Sequence, residues 1–586
     1  MKPVLISALA LSIGLVSGCA NSPEGKATQA QAADTIFVGA LVYTVNEQQP
    51  WAQAVAVKAG KIVYVGSDEG ANALIGQHTQ VTDLDGKMLL PGFIDTHAHP
   101  TMAAMLSDSL ELNFNDDEAT LLKQIKEYVD DNPDKPGYTG MGFYAANFKN
   151  GLPHKQQLDA IESNKPIVLL DSGGHTAWVN SKALELAGIN KNTPDPIPGS
   201  HFYQRDKQGN PTGYCLESQS FLPMLAPFAK VDDIVESAPE VLWLMNSAGI
   251  TTVFDAGMAG FEQQGFSVYQ TLEKKGELPL RLVGSYMVQN PNVVPIAISE
   301  IKRLNKEFGS DLISPSVIKI HNDGTKEALT AAMSEDYSND KGNKGATLLG
   351  PKALTDFVKD INQAGIDIHI HAIGDQAISE ALDAFEAARL DAPSQGNRFS
   401  IAHNEFMEDR DLKRFAALDV VAQTTPIWFA SGADEMVQKI MGNTRADKLN
   451  RFKSVETAGG TLSFGSDFPT ESLAGVFPTY NIEVGMTRQY VGEPNSKIAQ
   501  PEAERLSLKS MIKGYTLNAA YQLNMETEIG SIEVGKKADL VVLQDNLFEV
   551  DVYDIHGVRV DSSYVNGKQV YKRNWETWLA ELVLDI

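Results

Sequence analysis

Cysteine is nearly absent from this chain: of 586 residues, only Cys19 and Cys215 carry a thiol. Loss of Cys19 with a leader would leave one thiol, so no internal disulfide could form and stability has to come from a packed core. Long apolar runs are equally scarce. One stretches from Val4 to Val16, and no second run of about 18 residues, the length a membrane helix needs, follows it. Positive charge is short as well, with 49 Lys and Arg against 75 Asp and Glu and a net charge of −26 spread along the chain. A surface of that sign repels phosphate backbones and serves solubility, which excludes nucleic acid as an expected partner. Apolar residues are present in ordinary amount, 43 %, as in a globular protein, and the length calls for two or more structural units.

The start of the chain reads as an address. Met1-Lys2, the apolar run and Ser17-Gly18 fit a signal peptide over 1–18. Val16-Ser17-Gly18-Cys19 resembles a bacterial lipobox, in which the cysteine becomes the lipidated first residue. On that reading 19–33, rich in Ser, Gly, Gln and Ala, is a flexible tether, and Ala20 suits outer-membrane sorting. The expected location is the cell envelope, periplasmic side or outer membrane, with a multiply acylated anchor at Cys19 as the sole membrane contact. Ordinary secretory cleavage with Cys19 discarded would give a periplasmic or secreted protein instead.

Short apolar–polar alternations punctuated by Gly39, Gly60, Gly66 and Gly86 run from Thr35 to Leu84 and read as short antiparallel strands. The stretch from Gly530 to Val570 repeats the pattern, with Asn566-Gly567 as a hairpin turn before Lys568. Neither end is long enough for a core of its own, so the economical solution packs 34–90 and 527–575 into one small β-sandwich. Between them, apolar strand-like runs alternate with helical ones such as Asp375 to Leu390, the signature of βα units on a parallel sheet. The candidate strands exceed eight by one. Treating about 104–242 as an insertion after the first strand removes Ile167–Leu170 from the count and leaves an α/β fold, a (β/α)8 TIM-like barrel over 91–526 with a roof over its catalytic face.

Residues able to hold divalent metals end several of these runs. His97 and His99 stand two apart, so on a strand they point the same way, as does Asp95. Lys319 ends Val317-Ile318-Lys319, where a buried lysine would ordinarily be costly. His369 and His371 share one parity, His403 ends the next strand, and Asp467 follows Leu462-Ser463-Phe464-Gly465-Ser466. Catalytic groups of a parallel barrel collect at the carboxyl ends of its strands, so the scattered ligands predict one converging site. In it Asp467 would serve as general base towards a metal-activated hydroxide.

Leu90-Pro91-Gly92-Phe93-Ile94-Asp95-Thr96-His97-Ala98-His99, His371-Ala372-Ile373-Gly374-Asp375, Gly465-Ser466-Asp467-Phe468-Pro469 and Gly530-Ser531-Ile532-Glu533-Val534-Gly535-Lys536-Lys537-Ala538-Asp539-Leu540 together resemble the amidohydrolase superfamily, and within it the YtcJ-like branch, amidohydrolase family 3, from about Ala33 to about Lys572. The resemblance implies a barrel flanked by the sandwich. It implies His97, His99, Lys319, His371, His403 and Asp467 as metal residues, with Lys319 N6-carboxylated to bridge two cations. It favours His371 over His369, which becomes a packed or supporting residue. Zinc suits these donors, and iron or manganese would also fit. Ser172-Gly173-Gly174-His175 resembles a stretch whose histidine faces substrate, so His175 is expected to act on the carbonyl oxygen, and Glu217 resembles a recurring pocket carboxylate. Trp428, Phe429 and Phe468 are candidates for an apolar wall. After Lys319 the chain departs from many relatives: His321-Asn322-Asp323-Gly324-Thr325-Lys326-Glu327 keeps the Asp-Gly but lacks their arginine. The expected activity is hydrolysis of a non-peptide carbon–nitrogen bond (amide, N-acyl or N-formyl) in a small-molecule substrate. The alternatives are ester or lactone hydrolysis on the same site, or a non-catalytic surface-anchored binding lipoprotein. Whether the chain forms a homo-oligomer is left open.

Overall fold

The structure, a computed structural model, describes residues 32–575 apart from 114, 149–151, 200, 218–229, 394, 434 and 471–472. The expected signal peptide, Cys19 and nearly all of the tether lie outside the described residues. Ala33, the last tether residue, is already part of the folded chain: it is buried and its amide donates to the Leu74 carbonyl. Among the described residues no helix is long and apolar enough to cross a membrane.

Eight parallel strands form the central sheet: β1 (Phe93–Ala98), β2 (Ile250–Asp255), β3 (Arg281–Val288), β4 (Ile313–His321), β5 (Asp367–Ala372), β6 (Phe399–His403), β7 (Val420–Thr424) and β8 (Thr461–Phe464). Each pairs with its sequence neighbour in parallel, in the order β8 to β1. Every residue of β1, β2, β5, β6 and β7 is buried, as strands covered on both faces must be. Hydrogen bonds draw the two edges together: the Thr96 hydroxyl donates to the Phe464 carbonyl (2.7 Å) and the Asp467 amide to the His97 carbonyl (2.7 Å). The helices wrap the sheet through periodic apolar faces. In the helix Pro351–Gln363, which starts on a proline, Leu354, Phe357, Val358 and Ile361 are buried at helical spacing.

Both ends of the chain contribute to a pair of smaller sheets. Leu41–Tyr43, Trp51–Ala52 and Met88–Pro91 join Leu540–Leu543, Val560–Val565 and Lys568–Lys572 in a six-stranded sheet, beside a four-stranded sheet of Thr35–Val38, Ala54–Lys58, Lys61–Gly66 and Gln80–Asp83. Phe37, Val55, Leu89, Leu540, Val542 and Tyr564 pack together between the two. Asn566 and Gly567, at φ +51° and +70°, turn the last hairpin as expected. The expectation of purely antiparallel pairing is corrected: Thr35–Val38 runs parallel to Gln80–Asp83, and Leu41–Tyr43 parallel to Met88–Pro91. The chain between them is long enough for a crossover, which adjacent-strand reading overlooks. Met88–Pro91 belongs to this sheet and not to the barrel. Gly92 separates it from β1 where a Cβ would lie 2.2 Å from the Thr251 hydroxyl, so only glycine lets the two layers approach.

Between β1 and β2 a further six-stranded sheet, from Leu110–Glu111 to Pro211–Leu216, carries Ile167–Asp171 in its middle. Its own core includes Leu121, Ile125, Phe143, Leu169 and Trp178. Cys215, on the strand Pro211–Leu216, is a buried free thiol that packs into the main core.

Candidate active site

The carboxyl ends of β1, β4, β5, β6 and β8 bring His97, His99, Lys319, His371, His403 and Asp467 together. Asp467 Oδ1 lies 3.3 Å from His99 Nε2 and 3.5 Å from His97 Nε2, and its Oδ2 lies 3.9 Å from His403 Nδ1. The rings of His97 and His403 are 4.9 Å apart, and those of His371 and His403 4.4 Å. His99 reaches this point from just beyond β1, at the cap of the helix Pro100–Leu106. Asp95 shares its strand parity but faces elsewhere: it accepts from the Ser466 amide (3.0 Å) and hydroxyl (2.6 Å) and from the His97 amide (3.1 Å). Burial still pushes Asp95 up to about 6 against those bonds.

Local sequence explains these placements. Gly465 is where β8 meets β1, and a Cβ there would lie 2.5 Å from the His97 amide nitrogen. Ser466 then ties Asp95, and Asp467 turns into the site at φ +54°. His403 holds φ +73°, so two of the converging residues occupy backbone conformations that side chains disfavour, a pattern typical of functional sites. Asp323, of the surviving Asp-Gly, accepts from the amides of Ala332, Ile373 and Gly374 (2.9–3.1 Å) and thereby pins the loop after β4 to the end of β5. Its carboxylate does not pair with Lys319; it stands 3.4 Å from His371 Nε2.

The histidine tautomers are set by neighbours. Ser400 donates its hydroxyl to the Ile368 carbonyl (3.1 Å), so its oxygen accepts from His369 Nδ1 (2.7 Å). His369 Nε2 is then left to accept from His97 Nδ1 (2.9 Å), which turns the lone pair of His97 Nε2 towards Asp467. His99 Nδ1 lies 3.0 Å from the Gly257 carbonyl and can only donate to it, so in the neutral ring Nε2 carries the lone pair. Burial works against charge on His99, but the Asp467 carboxylate beside Nε2 leads the groups that outweigh it and raise the imidazole. Burial, followed by the Lys319 amine, holds His97, His369 and His403 well below the usual imidazole range; for His371 burial is followed by His403. Neutral imidazoles are the form that ligates metal. Lys319 is 1 % exposed, and burial, only partly offset by Asp467, brings its amine down to about 7. Among the described residues neither Lys319 Nζ nor His403 Nδ1 has a hydrogen-bond partner. Buried polar atoms are seldom left so, and both stand among the imidazoles and the Asp467 carboxylate. His97, His403 and Asp467 offer ligand atoms within 4.8 Å of one another, so the set fits a divalent cation.

The roof supplies His175 and Glu217. His175 Nδ1 is 2.9 Å from Glu217 Oε2, and Thr330 donates its hydroxyl to Glu217 Oε1 (2.7 Å). Burial works against charge on His175, but the Glu217 carboxylate, followed by Asp171 and Asp467, outweighs it and raises the imidazole to about 9. Of the aromatic candidates, Trp428 stacks on His403 at 5.7 Å, whereas Phe429 stacks on Phe452 and belongs to the core. Phe468 lines a cavity of about 1280 Å³ between roof and barrel, with Met141, Ser172, Trp243 and Leu473 among its walls. Two residues escaped sequence reading. His321 lies 4.5 Å, ring to ring, from His371, and His201 lies 6.3 Å from His321. His321 shares the parity of Lys319 on β4, a signal that was available; His201 comes from the roof, and nothing local marks it.

A nearly closed parallel barrel with such donors at its carboxyl end defines the class of barrel hydrolases that work with metal ions. The chain belongs to the amidohydrolase family, family 3, whose model matches residues 80–571. It is 35 % identical over 405 residues to the exoenzymes regulatory protein AepA of Pectobacterium carotovorum, covering 68 % of this chain and 86 % of that one. It is 27 % identical to the N-substituted formamide deformylase of Arthrobacter pascens, covering 93 % and 99 %. A metal-dependent hydrolase from Pyrococcus horikoshii shares the fold with a TM-score of 0.69 at 22 % identity, over 88 % of this chain and 99 % of that one.

Proposed function

We propose that the chain hydrolyses a non-peptide carbon–nitrogen bond of amide, N-acyl or N-formyl type, with His97, His99, Lys319, His371, His403 and Asp467 holding two divalent cations. Zinc is the first choice for imidazole and carboxylate donors. The observation that carries the reading is the buried Lys319 amine, without a hydrogen-bond partner among the described residues and set among imidazoles that converge on Asp467. Burial disfavours the ammonium form, and a neutral amine adds to CO₂. That step forms an N–C bond, releases a proton and leaves an N6-carboxylate that would offer oxygen donors to the cations. Such cations, when bound, acidify water and polarise a carbonyl.

The chain's own groups then account for proton movement. Asp467 takes a proton at its carboxylate from the attacking water and returns it to the leaving nitrogen. His175, held by Glu217 at Nδ1, donates from Nε2 to the carbonyl oxygen as charge develops there. The likeness to a formamide deformylase along 93 % of the chain favours a carbon–nitrogen bond over an ester. A second reading, a binding protein without turnover, draws on the regulatory name of the Pectobacterium relative. Replacing Asp467 by Asn separates them. On any N-acyl or N-formyl amide the wild type turns over, D467N should lose roughly 10²–10⁴-fold in kcat with bound metal largely retained. Undiminished kcat removes Asp467 from the mechanism, and no turnover by the wild type on such a panel favours the binding reading.

A further inference from the structure

His201 and His321 have no part in that chemistry, yet both are buried beside Glu217, at 4 %, 3 % and 1 % exposure. Their ligand atoms and that of Glu217 lie within 4.8 Å of one another. Each arrives on a fixed piece of backbone. His201 closes a turn in which Ile197 and His201 exchange both amide–carbonyl bonds (2.8 and 3.0 Å), and the next residue, Phe202, accepts from the Leu216 amide (3.0 Å). Glu217 follows directly at φ +55°, and His321 is the last residue of β4. Gly324 makes room: a Cβ there would lie 2.0 Å from Glu217 Oε1.

We propose that His201, Glu217 and His321 form a further divalent-cation site that ties the roof to barrel strand β4. Two imidazoles and one carboxylate are a recognised zinc set that leaves a fourth position open. Buried histidines more often serve as hydrogen-bonded core residues, but here the third partner is a carboxylate whose charge a cation would balance. His175 and Thr330 each occupy one lone pair of Glu217, one per oxygen, so a second lone pair on each remains and the carboxylate is held in orientation. His175, His321 and His371 also converge, but that set has no anion, and it draws on His371 of the central site and on His175, already bound to Glu217.

Crystals of the wild-type protein grown with zinc chloride, measured on both sides of the zinc edge, read the site directly. The expected result is an anomalous peak between His201, Glu217 and His321, separate from those among His97, His403 and Asp467. Peaks in the central site with none here overturn the inference and leave the proposed function standing. Peaks at neither place overturn both. In solution, H201Q and H321N, shown folded by near-ultraviolet circular dichroism, should each carry one ion fewer per chain than wild type after dialysis against zinc, with the roof cut faster by trypsin. Equal metal counts in all three overturn the site. Should the variants not fold, the wild-type crystals decide.

Discussion

Single residues set the chemistry through their second bonds. Ser400 is not one of the six residues proposed to hold metal, but it orients His369, which fixes the lone pair of His97. Replacing it by Ala should weaken metal retention roughly 10–100-fold, as loss of a supporting partner commonly does. Competition with a chelator of known affinity measures it, and an unchanged apparent Kd would show that the relay does not orient His97. The sequence exposed this layer only in part. His97, His371, His403 and Asp467 were legible because each ends an apolar run, and Lys319 because an amine there is otherwise expensive. The parity rule grouped Asp95 with His97 and His99, yet Asp95 accepts from the amide and hydroxyl of Ser466, just beyond β8. Period-two alternation cannot see that a strand's last turns bend towards different neighbours.

Elements are held at the site by glycines where two strands approach. Gly465 admits β8 against β1, with the His97 amide nitrogen 2.5 Å from where a Cβ would sit. G465A should therefore cost about 1–3 kcal/mol of stability by overpacking and displace Asp467 from His97 and His99. A lowered Tm with reduced metal content is the expected outcome; wild-type values for both would mean the junction relaxes without strain. The motif glycines could be seen in the sequence, but their reason could not, because it lies in a contact between residues hundreds of positions apart. For the same reason the parallel pairs of the end sheets were missed, whereas the Asn566-Gly567 hairpin, a wholly local signal, was read correctly.

At the scale of the whole molecule, the two chain ends are tied to the barrel by a buried ion pair. Arg281, first residue of β3 and 1 % exposed, donates from Nε to Asp539 Oδ2 at 2.6 Å and from Nη1 to the Asp311 carbonyl at 2.9 Å. Asp539 belongs to the Gly535-Lys536-Lys537-Ala538-Asp539 stretch, which the sequence marked as a family signature without disclosing its task. D539A leaves the guanidinium buried beside a missing partner and should cost about 3–5 kcal/mol in urea unfolding. A loss under about 1 kcal/mol would mean that Asp311 and Asn566 suffice to hold the sheets to the barrel.

The central claim, a metal centre built around Lys319, is tested most directly by counting metal ions per chain in wild type and K319A, both purified with bicarbonate present. The account predicts at least two ions in the wild type and, in a folded K319A, loss of at least one of them together with turnover. Equal metal counts in the two proteins, or a folded wild type that binds none, would contradict it.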